Sequence, residues 1–418
     1  MGLCEPFGGR GSHGGRLSMK IAFIAVTLAY WGFMLSDGAL RMLVLLHFHT
    51  LGFSPFQLAN LFVLYEIAGV VTNLSAGWIA ARFGLASTLF SGLALQIIAL
   101  IALTQLDPAW TIAASVIFVM CVQGLSGVAK DLAKMSSKSA VKILAPDEDD
   151  VLFKWVAFLT GSKNAIKGLG FFLGAAALGI FGFVPTIIAF AIFLSAILII
   201  LLLKLPAGLP TGKKGAKFSE VFSKNPKVNY LSLARVFLFG ARDVWFVVGI
   251  PLFFYAQWSD GTPEGKRWAF FAIGAFMAVW VILYGFVQTM APKLINLDRK
   301  NTSHLVFGLA LIPLALTALV MLFEGGAVWL VIIGLFAFGA LFALNSSLHS
   351  FLILRFTDSE RVTLDVGFYY MANAAGRLIG TVLSGAMYQI AGLNGCLIAA
   401  SVMLFISFIA MRKLDSYA

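Results

Sequence analysis

Positively charged side chains recur at a helical spacing inside two neighbouring apolar segments. Six lysines follow this spacing of four: Lys130, Lys134, Lys138 and Lys142, then Lys163 and Lys167. Residues four apart share one face of an α-helix, where like charges repel, and each cation is costly to insert into hydrocarbon. A chain that retains such a ladder needs it to bind something negative. The pattern therefore indicates an anion path through a membrane, with Lys138 and Lys142 expected at the lipid headgroups.

Other apolar segments also carry cations and amides of the kind that bind oxyanions. Such side chains donate hydrogen bonds to phosphate and carboxylate oxygens, and those from cations are charge-assisted. Ionisable residues deep in a spanning segment usually face a cavity, because contact with lipid is costly. We predict a substrate site built from Arg41, Lys130, Lys134, Lys163, Asn164, Lys167, Arg235, Arg242, Asn373 and Arg377.

Some of these residues have a purely structural alternative. Asp37 and Arg41 lie four residues apart and could neutralise each other on one helix face. Arg242 stands beside Asp243 and could be paired with it. Neutral polar side chains also bond one helix to another. Both interpretations therefore stay open at these positions.

Two acidic residues lie inside apolar segments and could take part in proton movement. Asp37 is in the first segment and Glu66 in the second. A carboxyl group in a low-dielectric site can bind a proton near neutral pH. Proton coupling through one of them is one interpretation, and a static partner for a cavity arginine is the other.

The sequence lacks the motifs that are typical of several kinds of chemistry. Cys4, Cys121 and Cys396 are far apart and form no thiolate cluster for a metal or another soft ligand. His47 and His49 are expected at the membrane interface rather than on a metal. The chain has no GxxxxGK[ST] phosphate loop and no assembled catalytic set. We expect no metal, no cofactor and no enzymatic activity.

The composition indicates an all-α polytopic membrane protein. Of 418 residues, 60% are hydrophobic and only 12% are charged, against about 25% charged in soluble domains. The net charge of +11 could suggest nucleic acid, but most cations lie in short loops between apolar segments. That distribution follows the positive-inside rule, so we predict no nucleic-acid partner.

The apolar segments divide the chain into two halves. Each is near or above the roughly 20 residues that a bilayer requires. The basic loops place both termini and the central linker in the cytoplasm, and the chain in the cell inner (plasma) membrane. We predict a disordered cytoplasmic tail at 1–18, a six-helix half at 19–204, a linker at 205–228 and a second six-helix half at 229–418. The twelve predicted spans are 20–46, 55–80, 86–105, 110–133, 153–181, 185–204, 229–256, 268–290, 304–323, 328–353, 363–390 and 395–411.

The six-plus-six pattern with a basic linker resembles the major facilitator superfamily. The loop after span 2 reads GWIAARFG, in which Gly77, Arg82 and Gly84 match the gating-loop motif of that superfamily and Ala81 replaces its usual aspartate. A tight basic cytoplasmic turn is the simpler interpretation of this loop. In that superfamily the cavity is lined by spans 1, 4, 7 and 10 with parts of 2, 5, 8 and 11, the spans that carry the candidate cations.

Longer strings resemble one family of transporters, the ArsJ organoarsenical efflux permeases. They are LSDGALRMLVLLHFHTLGFSPFQLA, GVAKDLAKMSSKSAVK, LTGSKNAIKGLGFFLG and VGFYYMANAAGRLIGTVLSG. The resemblance implies export of 1-arseno-3-phosphoglycerate, an anion with a phosphate and an arsenate group, for arsenate resistance. It also implies a functional partner, the glyceraldehyde-3-phosphate dehydrogenase that forms this ester.

Two other functions are alternatives to arsenical efflux. The chain could transport another phosphorylated or organic anion, since the cations alone do not specify arsenic. A non-transporting membrane enzyme or receptor would need a catalytic set or a sizeable sensor domain, and the sequence contains neither.

Overall fold

The computed structural model describes residues 13–83, 85–144, 149–204, 223–294, 302–323, 327–357 and 362–417. Every regular element in these ranges is a helix. The helices are α1 His13–Thr50, α2 Pro55–Asn60, α3 Val63–Phe83, α4 Leu85–Leu103, α5 Ile112–Leu144, α6 Asp149–Phe181, α7 Phe183–Lys204, α8 Pro226–Phe246, α9 Gly249–Trp258, α10 Pro263–Leu294, α11 Ser303–Leu322, α12 Ala327–Phe356 and α13 Val362–Asp415.

These helices form twelve membrane crossings. Eleven segments of the described chain are long and apolar enough to span a bilayer, and the last of them, Asp365–Asp415, is 51 residues long. It is broken at Ala391 and Gly392, where Gly392 has a φ of +60° that favours glycine. The break divides α13 into two crossings. Spans 2 and 7 each consist of a helix pair, α2 with α3 and α8 with α9.

Two of the predicted domain boundaries fall inside helices. Helix α1 already begins at His13, so residues 13–18 of the predicted disordered tail are helical, because extending an existing helix costs far less than starting one. Helix α8 begins at Pro226 rather than at residue 229. Asn225 caps it by accepting a hydrogen bond from the Lys227 backbone amide at 3.0 Å, and Pro226 occupies the favoured first helical position. Residues 1–12 and 205–222 lie outside the described residues.

Glycine allows the closest helix contacts within the first half, where α1 packs on α6. A Cβ atom at Gly38 would lie 2.5 Å from the Lys167 carbonyl oxygen, and one at Gly174 would lie 2.5 Å from the Ala39 carbonyl oxygen. Small residues of this kind let helix backbones approach each other in membranes, where no hydrophobic effect drives them together. This contact holds α6, and the lysines on it, against α1.

The two halves meet along two helix pairs, α3 with α13 and α6 with α10. On the side of the membrane opposite the described chain ends, α2 also packs on α13 around Gly385, and the Phe56 amide donates a hydrogen bond to Gln389 Oε1 at 3.2 Å. Helices α4, α7 and α11 lie on the outside, where many large apolar side chains are exposed, including Leu203 and Leu322. This arrangement leaves the central helices to line a space between the halves.

Candidate anion-binding cavity

A cavity of about 490 Å³ lies between the two halves. The first half contributes α1, α3, α5 and α6 to its wall, and the second contributes α8, α10, α12 and α13. These helices belong to spans 1, 2, 4, 5, 7, 8, 10 and 11. All ten predicted substrate-binding residues line this one cavity: Arg41, Lys130, Lys134, Lys163, Asn164, Lys167, Arg235, Arg242, Asn373 and Arg377.

Positively charged side chains outnumber negatively charged ones on the cavity wall. Eight of the predicted residues are arginines or lysines, and the carboxylates among the described lining residues are Glu66, Asp131 and Asp243. A concave wall of one predominant sign concentrates the opposite ion, because low-dielectric surroundings focus its field. The cavity is therefore suited to a small anion with more than one charge.

Three arginines and two acids form a continuous network across the cavity. Arg377 donates to Glu66 at 2.7 Å and to Asp243 at 3.2 Å, and Arg41 donates to Glu66 at 3.3 Å. Arg242 donates to Asp243 at 2.6 Å through Nε. Since Glu66 belongs to the first half and Arg377 to the second, the network joins the two halves. Glu66 has the geometry expected of a partner for cavity arginines.

Asp37 lies behind the cavity wall and pairs with a lysine of another helix. It accepts a hydrogen bond from Lys167 Nζ at 2.6 Å and another from the Tyr65 hydroxyl at 2.6 Å. The alternative in which Asp37 and Arg41 neutralise each other is therefore wrong. Tertiary packing brings Lys167 closer to Asp37 than Arg41, which lies one turn further along α1. Arg41 contacts Glu66 instead.

The two cavity-lining lysines of α5, Lys130 and Lys134, are held by different groups. Lys134 Nζ donates to Asn73 Oδ1 at 2.9 Å and lies 3.7 Å from Asp131. Lys130 Nζ lies 4.0 Å from the centre of the Tyr65 ring, a cation–π contact that stabilises a cation away from water. Both ammonium groups thus stay on the cavity side of α5.

Arg235 differs from the other arginines because its hydrogen-bond partners are neutral. Its Nε donates to Asn373 Oδ1 at 3.0 Å, and its Nη1 donates to the Ser346 carbonyl at 3.1 Å and hydroxyl at 3.2 Å. The guanidinium carbon lies 3.9 Å from the centre of the Phe239 ring and 5.0 Å from that of Tyr369. The side chain is buried, with 5% exposure.

The polar face of α6 meets the second half through neutral groups. Asn164 Nδ2 donates to Gln288 Oε1 at 3.4 Å, and Gln288 Nε2 donates to Ser346 Oγ at 3.3 Å. Lys163 and Lys167 lie on either side of Asn164 along the same helix and also line the cavity. A hydrogen-bonded chain therefore leads from this face to Arg235.

The sequence prediction missed Gln288 and two tyrosines of the cavity wall, Tyr284 and Tyr370. Trp280, Tyr284 and Gln288 recur at intervals of four in the sequence. This spacing places them on one face of a helix and could have identified them as cavity residues. Asn345 has a structural role instead, because its side-chain amide donates hydrogen bonds to the backbone carbonyls of Leu305 on α11 and Leu341 on α12.

Other sequence features lie away from the cavity. His47 stacks on Phe183 with 4.0 Å between ring centres, and His49 meets the edge of Tyr255. Cys121 is exposed and Cys396 is buried. Within the described ranges no group of three or more His, Cys, Asp or Glu could hold a metal ion.

The predicted gating loop is described only in part. Gly77 and Arg82 belong to helix α3, without a described side chain for Arg82, and Gly84 lies outside the described residues. The side chains of Lys138 and Lys142 also lie outside them. The functions expected for these residues stay predictions.

Comparison with known proteins supports the fold and leaves the family open. No protein-family model matches the chain, and no curated protein matches it in sequence. The resemblance to the ArsJ permeases therefore has no support from these comparisons.

Solved structures do match over nearly the whole chain. One is a POT family transporter in complex with 5-aminolevulinic acid, with a TM-score of 0.72, 14% identity, and coverage of 97% of this chain and 98% of the other. A second POT family transporter, in complex with a thioalcohol-conjugated peptide, has a TM-score of 0.71, 15% identity, and coverage of 95% and 96%. The predicted all-α fold of about twelve transmembrane helices is confirmed, and the chain is a multi-pass membrane protein with the fold of the major facilitator transporters.

Proposed function

We propose that this chain is a secondary transporter that moves a small, multiply charged anion across the membrane. The observation that carries the proposal is the charge of the central cavity, where eight cations outnumber the described carboxylates. Water-filled space between two helical halves is the place where transporters of this fold type bind their substrates. A cation in hydrocarbon is costly, so eight of them in one wall indicate a function.

An efflux substrate with two anionic groups fits this cavity. The resemblance to ArsJ permeases suggests 1-arseno-3-phosphoglycerate, exported for arsenate resistance after a glyceraldehyde-3-phosphate dehydrogenase forms it. Its phosphate and arsenate groups are separated by a three-carbon unit, and cavity cations come from helices of both halves. We place the protein in the cell inner (plasma) membrane with both termini in the cytoplasm, and we assign Gly77, Arg82 and Gly84 to a cytoplasmic gating turn.

Uptake into everted membrane vesicles tests this function directly. Vesicles that contain the protein should accumulate enzymatically made arsenic ester, and vesicles without it should not. Lys163→Gln removes a cavity cation and should weaken apparent affinity roughly tenfold to hundredfold, the value of a charge-assisted contact of about 1.5–3 kcal/mol. Lys293→Gln is the matched control, because Lys293 is exposed near the end of α10. Equal loss in both variants would mean that the cavity does not determine affinity.

Transport of another anion is the second candidate function. Unlabelled 3-phosphoglycerate and free arsenate serve as competitors in the same assay. If 3-phosphoglycerate competes as well as the unlabelled ester, the substrate class is phosphorylated three-carbon acids. The arsenate group is then not required for recognition. If neither the ester nor any competitor enters the vesicles, the anion-transport proposal is wrong.

We further propose that efflux is coupled to proton entry through Asp37 or Glu66. Both carboxylates are buried and contact cavity cations, so protonation of either would release a lysine or an arginine for the substrate. Asp37→Asn or Glu66→Gln should abolish uptake driven by a pH gradient and preserve substrate exchange between the two sides. Wild-type transport that continues unchanged after the proton gradient is collapsed would exclude this coupling.

A further inference from the structure

Arg235 is a buried cation that has no carboxylate partner among the described residues. In the described part of the chain no carboxylate lies within ion-pair distance of it, whereas Arg41, Arg242 and Arg377 each contact Glu66 or Asp243. Its partners, Asn373 and Ser346, are neutral. Burial of a charge without a counter-ion is unfavourable, so binding of an anion beside Arg235 would be favourable.

The guanidinium group of Arg235 is held in one orientation before any ligand arrives. Phe239 and Tyr369 lie within cation–π distance of it, and hydrogen bonds to Asn373 and Ser346 use Nε and Nη1. Its Nη2 has no hydrogen-bond partner within the described ranges, and Arg235 lines the cavity. Such preorganisation lowers the entropy cost of binding. The remaining N–H groups are thus available to a ligand oxygen.

Neutral donors lie next to this group and are only weakly engaged. Gln288 donates to the Ser346 hydroxyl at 3.3 Å and accepts from Asn164 at 3.4 Å, distances longer than those of typical N–H···O bonds. Exchange of such bonds for bonds to a ligand oxygen costs little. Ser346 and Gln288 can therefore rotate toward an oxyanion beside Arg235.

We propose that Arg235, Ser346, Asn373 and Gln288 form a subsite for one oxyanion head of the substrate, with Gln288 and Ser346 as specificity-determining residues. The head is a carboxylate or a tetrahedral phosphate-type group, both of which accept from guanidinium and amide donors. This proposal rests on the proposed function and deepens it, because it divides the cavity into two binding positions.

The second head has a separate cationic position in the other half of the molecule. Lys163 and Lys167 flank Asn164 on α6, and the Asn164–Gln288 contact joins that face to the subsite. Helix α6 belongs to the first half and Arg235 to the second. A two-headed anion would therefore contact both halves at once, which a single-headed anion cannot do equally well.

Binding of three related ligands to the purified full-length protein tests the subsite. 3-Phosphoglycerate carries both heads, glycerol 3-phosphate carries only the phosphate, and glycerate carries only the carboxylate. Dissociation constants are measured by calorimetry or by competition for wild type, Arg235→Gln, Gln288→Leu, Lys163→Gln and the exposed control Lys293→Gln. Thermal unfolding of each variant verifies that it is folded, and Gln288→Leu keeps every charge in place.

The proposal predicts that variants at the two binding positions weaken different single-headed ligands. Arg235→Gln should weaken 3-phosphoglycerate binding roughly tenfold to hundredfold and should weaken one single-headed ligand but not the other. Gln288→Leu should weaken the same ligand several-fold, Lys163→Gln should weaken the other one, and Lys293→Gln should change neither. The single-headed ligand that Arg235→Gln weakens shows whether Arg235 binds the phosphate or the carboxylate.

Other outcomes overturn the proposal in distinguishable ways. If wild type binds these anions but Arg235→Gln weakens both single-headed ligands equally, or neither, the subsite is wrong and anion transport stands. The same holds if Gln288→Leu has no effect on the ligand that Arg235→Gln weakens. If wild type binds none of the three ligands, the subsite is wrong, and the proposed function is then decided separately by uptake of the ester into everted vesicles.

Discussion

At the scale of single residues, Asp37 and Lys167 form a buried ion pair that joins helices α1 and α6. Their side chains are 3% and 17% exposed, and the Tyr65 hydroxyl supplies a second hydrogen bond to the carboxylate. Loss of one member of a buried pair is far more costly than loss of both, because it leaves an uncompensated charge. The pair therefore contributes to stability as well as to the cavity.

We expect Lys167→Gln to lower the free energy of unfolding by on the order of 3 kcal/mol, since Asp37 would remain buried without its cation. Lys163→Gln should lower it less, because that substitution leaves the Asp37–Lys167 pair intact. Thermal or denaturant unfolding in one detergent measures both variants.

The double variant Asp37→Asn with Lys167→Gln is the control for this prediction. It removes both charges and should recover most of the stability lost in Lys167→Gln. A double variant as unstable as the single one would show that Lys167 acts through packing rather than through its charge.

At the scale of elements, the contact between α1 and α6 depends on the absence of side-chain atoms at two glycines. An added Cβ at Gly174 would lie 2.5 Å from the Ala39 carbonyl oxygen and 2.6 Å from the Ala39 Cα. Both atoms belong to the backbone of a packed helix and cannot move without shifting that helix. The position of the lysine face on α6 therefore depends on this contact.

We expect Gly174→Ala to destabilise the protein by about 1–3 kcal/mol, the usual cost of overpacking. Gly308→Ala is the matched control, because nothing lies within 4 Å of a Cβ built at Gly308 on α11. That variant should be neutral or slightly more stable, since alanine favours helix more than glycine does. Equal unfolding temperatures for both variants would contradict the close packing.

At the scale of the whole molecule, the two halves are in contact on the side opposite the described chain ends. A Cβ at Gly385 would lie 2.5 Å from the Ala59 Cβ and 2.5 Å from the Pro55 carbonyl oxygen. Helix α2 thus packs directly on α13 there, while the polar cavity lies nearer the other ends of the helices. The proposed transport requires this contact to open, so that a substrate can leave on the far side.

We expect Gly385→Ala to weaken the closed arrangement of α2 and α13 and to shift the protein toward opening on that side. A cysteine placed at Ser350, which lines the cavity, should then react faster with a membrane-impermeant maleimide added outside cells. The measurement uses a background in which the exposed Cys121 is replaced by serine. Unchanged labelling, with normal expression, would mean that this contact does not control access.

The orientation that we propose for the molecule rests on the distribution of basic residues among its loops. Reporter fusions should place residue Gly212 and both termini in the cytoplasm and Gly261, in the turn before α10, outside. Cytoplasmic reporter activity at Gly261 would reverse the orientation and with it the direction of the cavity.

The number of crossings and the identity of the cavity residues could be predicted from the sequence because the bilayer restricts both. A spanning helix satisfies its backbone hydrogen bonds internally and presents apolar side chains to the lipid. Each span is therefore recognisable in the sequence as a long apolar segment. Each cation inside such a run is costly, so Arg235 and Lys163 already stood out as residues that face a cavity. Helix ends were less predictable, as the capped start of α8 at Pro226 shows, because a cap depends on local geometry.

The tertiary structure alone decided which charges meet. Asp37 and Lys167 are 130 residues apart, and Glu66 and Arg377 are 311 apart, so no spacing rule could pair them. The i,i+4 rule suggested Arg41 as the partner of Asp37, but close packing at Gly38 brings α6 nearer than the next helical turn of α1. The contacts of α8 with α12 and α13 leave Arg235 among neutral groups. Sequence thus determined which residues enter the membrane interior, and the contact between helices determined which of their charges remain available to a substrate.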